Sequence, residues 1–67
     1  MDKLADMIVK ASKDIEDDAT INARFVLKES GWFVLTMDFC EGKVREILQK
    51  HGIKKSDVTI LIKKGEG

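Results

Sequence analysis

Apolar and polar side chains alternate along residues 20–28 and again along residues 32–39, and only Glu29, Ser30 and Gly31 separate the two stretches. A period of two is typical of β-strands, because successive side chains point to opposite faces of a sheet. A three-residue loop that ends in Gly suits a type I turn followed by a residue with positive φ. The pattern therefore predicts a β-hairpin over residues 20–39.

The predicted turn also fixes the register of the hairpin. It pairs Lys28 with Trp32, and counting along both strands then places Phe25 opposite Leu35. This register gathers the strongly apolar side chains on one face, and a slip by one residue would turn one strand over. The expected inner face consists of Ile21, Ala23, Phe25, Leu27, Phe33, Leu35, Met37 and Phe39.

Two stretches outside the hairpin repeat apolar residues every three or four positions, as one face of an α-helix does. The first predicted helix covers residues 2–16, with Asp2 as its N-cap. The second covers residues 39–51, where Asp38 and Glu41 have the spacing of a capping box. The inner positions are Leu4, Met7, Ile8, Ala11 and Ile15 in the first helix, and Cys40, Val44, Ile47, Leu48 and His51 in the second.

The last apolar run, residues 57–63, is rich in β-branched side chains and favours a third strand, although it is short enough to be the core of a helix. The element order is then helix–strand–strand–helix–strand. Such an order predicts an α+β two-layer sandwich, with a three-stranded sheet and both helices on one of its faces. The third strand lies either beside the second in parallel or beside the first in antiparallel orientation.

Length and charge limit what the chain can do. With 67 residues, we expect a single domain over residues 1–67, and a chain of this size buries only about 60% of the surface of its unfolded form. Twelve basic and twelve acidic side chains give a net charge of zero, which argues against a generic polyanion binder. Charges interrupt the first residues, so the sequence predicts neither a signal peptide nor a membrane span. The single Cys rules out a disulfide within the chain and suggests a cytoplasmic location.

Residues that carry catalytic or metal chemistry are few. Cys40 and His51 are eleven positions apart on the second predicted helix, or about 16 Å, which is too far for a nucleophile and its base. One Cys and one His do not make a zinc site, and the acidic residues 14–18 lack the spacing and the Gly of a calcium loop. We therefore expect no enzymatic activity, no metal and no cofactor.

The predicted outer face of the hairpin carries the leading functional hypothesis. Trp32, Val26 and Val34 share that face, with Arg24 and Lys28 beside them. An aromatic residue next to two valines and framed by cations resembles a protein-binding hot spot, although strands favour such residues on structural grounds alone. The sequence thus predicts a small protein-binding module, acting as an adaptor, an inhibitor or a self-associating scaffold. Its partner is another protein or, in a homodimer, a second copy.

Uneven charge supports an alternative function. Residues 1–22 carry three basic and six acidic side chains, whereas residues 43–67 carry seven basic and three acidic ones. The alternative is a nucleic-acid-binding regulator whose phosphate contacts come from Lys54, Lys55, Lys63 and Lys64. Residues 44–64 resemble a helix-turn-helix unit if their last apolar run is helical. A solvated charged surface explains the same distribution without any partner.

Overall fold

The structure, a computed structural model, describes residues 2–64. Its elements are α1 (Lys3–Asp17), β1 (Ala23–Lys28), β2 (Gly31–Met37), α2 (Glu41–Lys50) and β3 (Val58–Lys63), and a 3₁₀ turn (Asp38–Cys40) joins β2 to α2. The predicted order and the α+β fold class are confirmed. The final apolar run is a strand and not a helix.

The sheet has β2 at its centre. Its strand order is β1-β2-β3, with β1 antiparallel and β3 parallel to β2. A parallel neighbour requires a crossover connection, which α2 supplies. Of the two predicted positions for the third strand, the one beside the second strand is correct, and β1 and β3 are the two edges.

Both helices cover the same face of the sheet, as predicted. α1 contributes Ile8 and Ala11 to the core, and α2 contributes Val44. Between them lies Val34 of β2, which has no exposed surface. The core consists of Ile8, Ala11, Val34, Val44, Leu48, Ile53 and Val58. Its contributors come from both layers, so packing of the helices on this face is what stabilises the sheet.

The hairpin register differs from the prediction by one residue. Lys28 pairs with Gly31, and not with Trp32. The loop therefore contains only Glu29 and Ser30, and Gly31 is the first residue of β2. Gly31 has a φ of +126°, a conformation that Gly adopts readily because it has no Cβ. The predicted three-residue turn is wrong because Gly31 joins the strand instead of closing the loop.

This shift turns β2 over relative to the prediction. The residues of β2 that face the helices are Trp32, Val34 and Thr36, and those that face away are Phe33, Leu35 and Met37. In β1 the prediction is correct, since Phe25 packs against the core and its neighbours Arg24 and Val26 lie on the other face. Alternation identified the strand, but it did not identify which face of β2 is covered because both faces are apolar.

The ends of the elements agree only in part with the sequence. Asp2 caps α1, and its carboxylate accepts hydrogen bonds from the backbone N–H groups two and three residues later, at 3.1 and 3.4 Å. The capping box of Asp38 and Glu41 is wrong, because the chain enters α2 through the 3₁₀ turn and Glu41 accepts from Arg45 Nε at 2.7 Å. Phe39, predicted on the inner face, lies in that turn and is 74% exposed.

Candidate functional site

The second face of the sheet carries no helix among residues 2–64, because α1 and α2 both pack on the other face. Its side chains come from alternate residues of all three strands. They are Arg24, Val26 and Lys28 of β1, Phe33, Leu35 and Met37 of β2, and Thr59, Leu61 and Lys63 of β3. We call this surface the open face.

An apolar strip crosses the open face. Phe33 lies directly opposite Val26 of β1 in the antiparallel pair, and Leu35 lies directly opposite Leu61 of β3 in the parallel pair. Met37 extends the strip along β2. Directly opposed residues have Cβ atoms about 5 Å apart, so these side chains form a continuous surface. They cover one another only in part, and Leu61 is still 39% exposed.

Three cations frame the strip. Arg24 and Lys28 lie near opposite ends of β1, and Lys63 lies at the end of β3. The Lys28 Nζ is 5.4 Å from the centre of the Phe33 ring, which is within cation–π range. Arg24 and Lys63 also line a shallow depression of about 310 Å³ beside Met37. None of the open-face residues is acidic, so the face is positively charged.

The structure separates the residues that the sequence combined into a binding cluster. Val26 lies on the open face, whereas Val34 is buried in the core and Trp32 packs against it. The prediction that these three share an outer surface is wrong, because it follows from the wrong register. Arg24 and Lys28 do lie on the open face, as predicted.

Four apolar residues of the open face were not predicted there from the sequence, namely Phe33, Leu35, Met37 and Leu61. The predicted register assigns the first three to the core and leaves Leu61 unassigned. One signal was available: the stretch from Trp32 to Leu35 is apolar without a break. A strand that is apolar on both faces needs two covering layers, whereas the helical segments of this chain supply only one.

The lysines of the nucleic-acid alternative do not form one cluster. Lys54 and Lys55 precede β3, and Lys63 and Lys64 lie at its other end. A strand of six residues spans about 20 Å, so the two pairs are well separated. The helix-turn-helix interpretation is wrong, because residues 58–63 form a strand. All four lysines are exposed.

The single cysteine is part of the packing. Cys40 is fully buried, and its Sγ accepts the N–H of Asn22 at 3.2 Å and donates to the carbonyl of Thr20 at 3.3 Å. These bonds hold the segment before β1 against the 3₁₀ turn. Both contacts are with backbone groups, and a fully buried Sγ is out of reach of a substrate. The geometry therefore favours a packing role for Cys40.

A second polar contact joins the two helices. The Nε2 of His51 lies 2.7 Å from Oδ2 of Asp14, and the Lys50 Nζ lies 3.4 Å from the same oxygen. These contacts lower the pKa of Asp14, chiefly through the hydrogen bond with His51. His51 also ends α2, as predicted, and its N–H donates to the carbonyl of Ile47 at 3.1 Å. His51 and Cys40 thus have different neighbours and do not form a catalytic pair.

Other chemistry receives no support from residues 2–64. In that range, no three His, Cys, Asp or Glu side chains are grouped so that they could hold a metal ion. The helices of the described segment are also too short or too polar to cross a bilayer. No protein family model, no curated protein and no solved structure matches the chain. The geometry of the open face is therefore the feature that bears on function.

Proposed function

We propose that this protein is a protein-binding module whose partner docks on the open face. The observation that carries the proposal is the apolar strip on the uncovered side of the sheet. Apolar surface framed by charges is typical of protein interfaces. Burial of Phe33, Leu35 and Leu61 would favour association by about 25 cal/mol for each Å² removed from water.

The charges of the open face select the kind of partner. Arg24, Lys28 and Lys63 are complementary to a protein surface on which Asp and Glu frame apolar side chains. A second copy that docked face to face would use the same patch on both subunits and would bring these cations together. We therefore propose a different, acidic protein as the occupant. The homodimer predicted from the sequence becomes an outcome of the test.

The open face is suited to occlusion or scaffolding. Its side chains project from strands that are packed on two helices, so they are held in position before a partner arrives. Preorganised side chains lose little conformational entropy on binding. An adaptor or an inhibitor needs only such a surface, because it acts by covering its partner or by holding it in place.

The test is a selection followed by mapping. A displayed library of random peptides is selected against the protein, and bound peptides are mapped by the amide chemical shifts of the labelled protein. We expect apolar peptides rich in Asp and Glu that shift the amides of β2 and lose affinity at least about tenfold with Leu35→Glu. The matched control is Leu27→Glu, because Leu27 is 61% exposed but lies on the helix side of the sheet.

Three results would contradict the proposal. The selection could yield no peptide, or no peptide that maps to the open face, or Leu27→Glu could weaken binding as much as Leu35→Glu. Sedimentation of the free protein tests whether a second copy occupies the open face. Self-association that Leu35→Glu abolishes would assign the open face to a second copy.

One observation favours a second candidate function, the binding of single-stranded nucleic acid. The Lys28 Nζ lies 5.4 Å from the centre of the Phe33 ring, and Arg24 and Lys63 lie farther along the same face. An aromatic ring on a cationic face can stack a base while the cations contact phosphates. Fluorescence anisotropy with a labelled oligothymidylate tests this at two salt concentrations. Binding that falls steeply with salt and is lost in Phe33→Leu supports it, since this change removes the ring but keeps an apolar side chain. Most side chains of the apolar strip are aliphatic and not aromatic, which favours a protein over nucleic acid as the partner.

A further inference from the structure

The second half of the strand β3 is poorly covered by the helices. α1 packs against β1 and α2 packs against β2. The residues of β3 after Ile60 are exposed, including Ile62, which points to the helix side. No strand among residues 2–64 pairs with the outer edge of β3. The backbone N–H and C=O groups of such an edge can accept an added strand.

A groove of about 340 Å³ runs between α2 and β3. Its apolar lining comes from Leu48, Ile53, Val58 and Ile60. The charged residues that line it, Arg45 and Lys55, are both cationic. The Arg45 side chain is bound to Glu41, with Nη2 and Oε2 2.5 Å apart, yet it stays 43% exposed. The groove can therefore receive apolar side chains while its charges attract a negative group.

Positive charge continues at both ends of the edge. The lysine pairs 54–55 and 63–64 flank β3, and all four side chains are exposed. Asp57 is the acidic residue that precedes the strand directly, and its carboxylate already accepts the backbone N–H of Lys54 at 3.0 Å. An extended segment along β3 thus meets cations at its start and at its end.

The same lysines disfavour pairing between two copies. Antiparallel pairing of two β3 edges would bring the 63–64 pair of one copy to the end of the strand where the 54–55 pair of the other copy lies. Lysines on sheet edges commonly block such self-pairing. A segment with acidic ends pairs with this edge more favourably, because each lysine pair attracts one of its ends.

We infer that β3 and its groove bind an extended acidic segment of another protein by strand addition. The added segment pairs its backbone with the edge of β3, places alternate apolar side chains toward the groove, and presents Asp or Glu to the lysine pairs. The inference does not depend on the open face. The open face binds through side chains, whereas this edge binds through backbone groups.

The experiment uses a displayed library of random peptides of about nine residues, long enough to span β3. We expect the selected peptides to carry Asp or Glu at both ends. On binding, hydrogen exchange should slow at amides of residues 58–63 and remain unchanged in β1. The double variant Lys55→Glu with Lys64→Glu should lower the affinity by about tenfold or more.

Two controls separate this inference from general charge effects and from the open face. Lys10→Glu with Lys13→Glu makes the same charge change at exposed positions of α1 and should leave the affinity unchanged. Leu35→Glu should also leave it unchanged, so failure of one proposal is distinguishable from failure of the other. The inference is overturned if no peptide is selected, if the selected peptides lack acidic ends, if protection appears in β1, or if either control weakens binding equally.

Discussion

The two faces of β2 have similar composition and opposite surroundings. Trp32 and Val34 face the helices, whereas Phe33 and Leu35 face away from them. Val34 has no exposed surface, but the outward side chains remain half-exposed. Burial of the covered face stabilises the folded protein. The open face keeps apolar surface that folding leaves partly in water, and such surface is available to a partner.

The largest expected difference between the faces is at the two aromatic residues. Trp32→Ala should lower the free energy of unfolding by about 3 kcal/mol, because Trp32 packs against the core. Phe33→Ala should cost less than about 1 kcal/mol, because no element among residues 2–64 covers the open face. The register predicted from the sequence places Trp32 on the outer face, so that Trp32→Ala would weaken association with little loss of stability. Urea unfolding of both variants measures the two free energies. Equal losses of stability in Trp32→Ala and Phe33→Ala would contradict the observed register.

A smaller difference should separate two neighbouring aliphatic residues. Val34→Ala leaves a cavity under both helices and should cost about 2 kcal/mol. Leu35→Ala removes a larger side chain but should cost only about 0.5 kcal/mol, because both described helices pack on the opposite face. Thermal unfolding at a fixed protein concentration measures both. A greater loss for Leu35→Ala would mean that a second layer, such as another copy, covers the open face.

The sequence predicts which face of an element is exposed where that face carries charged residues. Arg24 and Lys28 identify the outer face of β1, and the charged residues of both helices do the same. β2 has no charged residue to identify a face, and its one polar residue, Thr36, is buried on the helix side. The orientation of β2 follows from the pairing of Gly31 with Lys28. For that reason the fold class and two of the three open-face cations, Arg24 and Lys28, were predictable. The apolar strip at its centre was not.

The smallest predicted effect concerns the covered side alone, where Asp14 links α1 to His51 of α2. The pKa of Asp14 lies below its ordinary value of 3.8, chiefly because of the hydrogen bond with His51. Its ionised form is therefore favoured by folding, and this stabilisation is present above about pH 4 and lost as the pH falls through the lowered pKa. We expect the midpoint of thermal unfolding to depend less steeply on pH below 4 in Asp14→Asn. If the unfolding midpoint depends on pH as steeply in Asp14→Asn as in the original protein, this role is contradicted. The amide chemical shifts of the open face should not change in this variant.

The bonds of Cys40 have a practical consequence. This thiol is the only one in the chain, and it joins segments that are 20 residues apart. Because Sγ is fully buried, a thiol reagent reaches it only after the junction between the 3₁₀ turn and the start of β1 has opened. When closing is faster than the reaction, the labelling rate reports the equilibrium constant for that opening. The protein therefore contains its own reporter of local breathing, and it needs no introduced label.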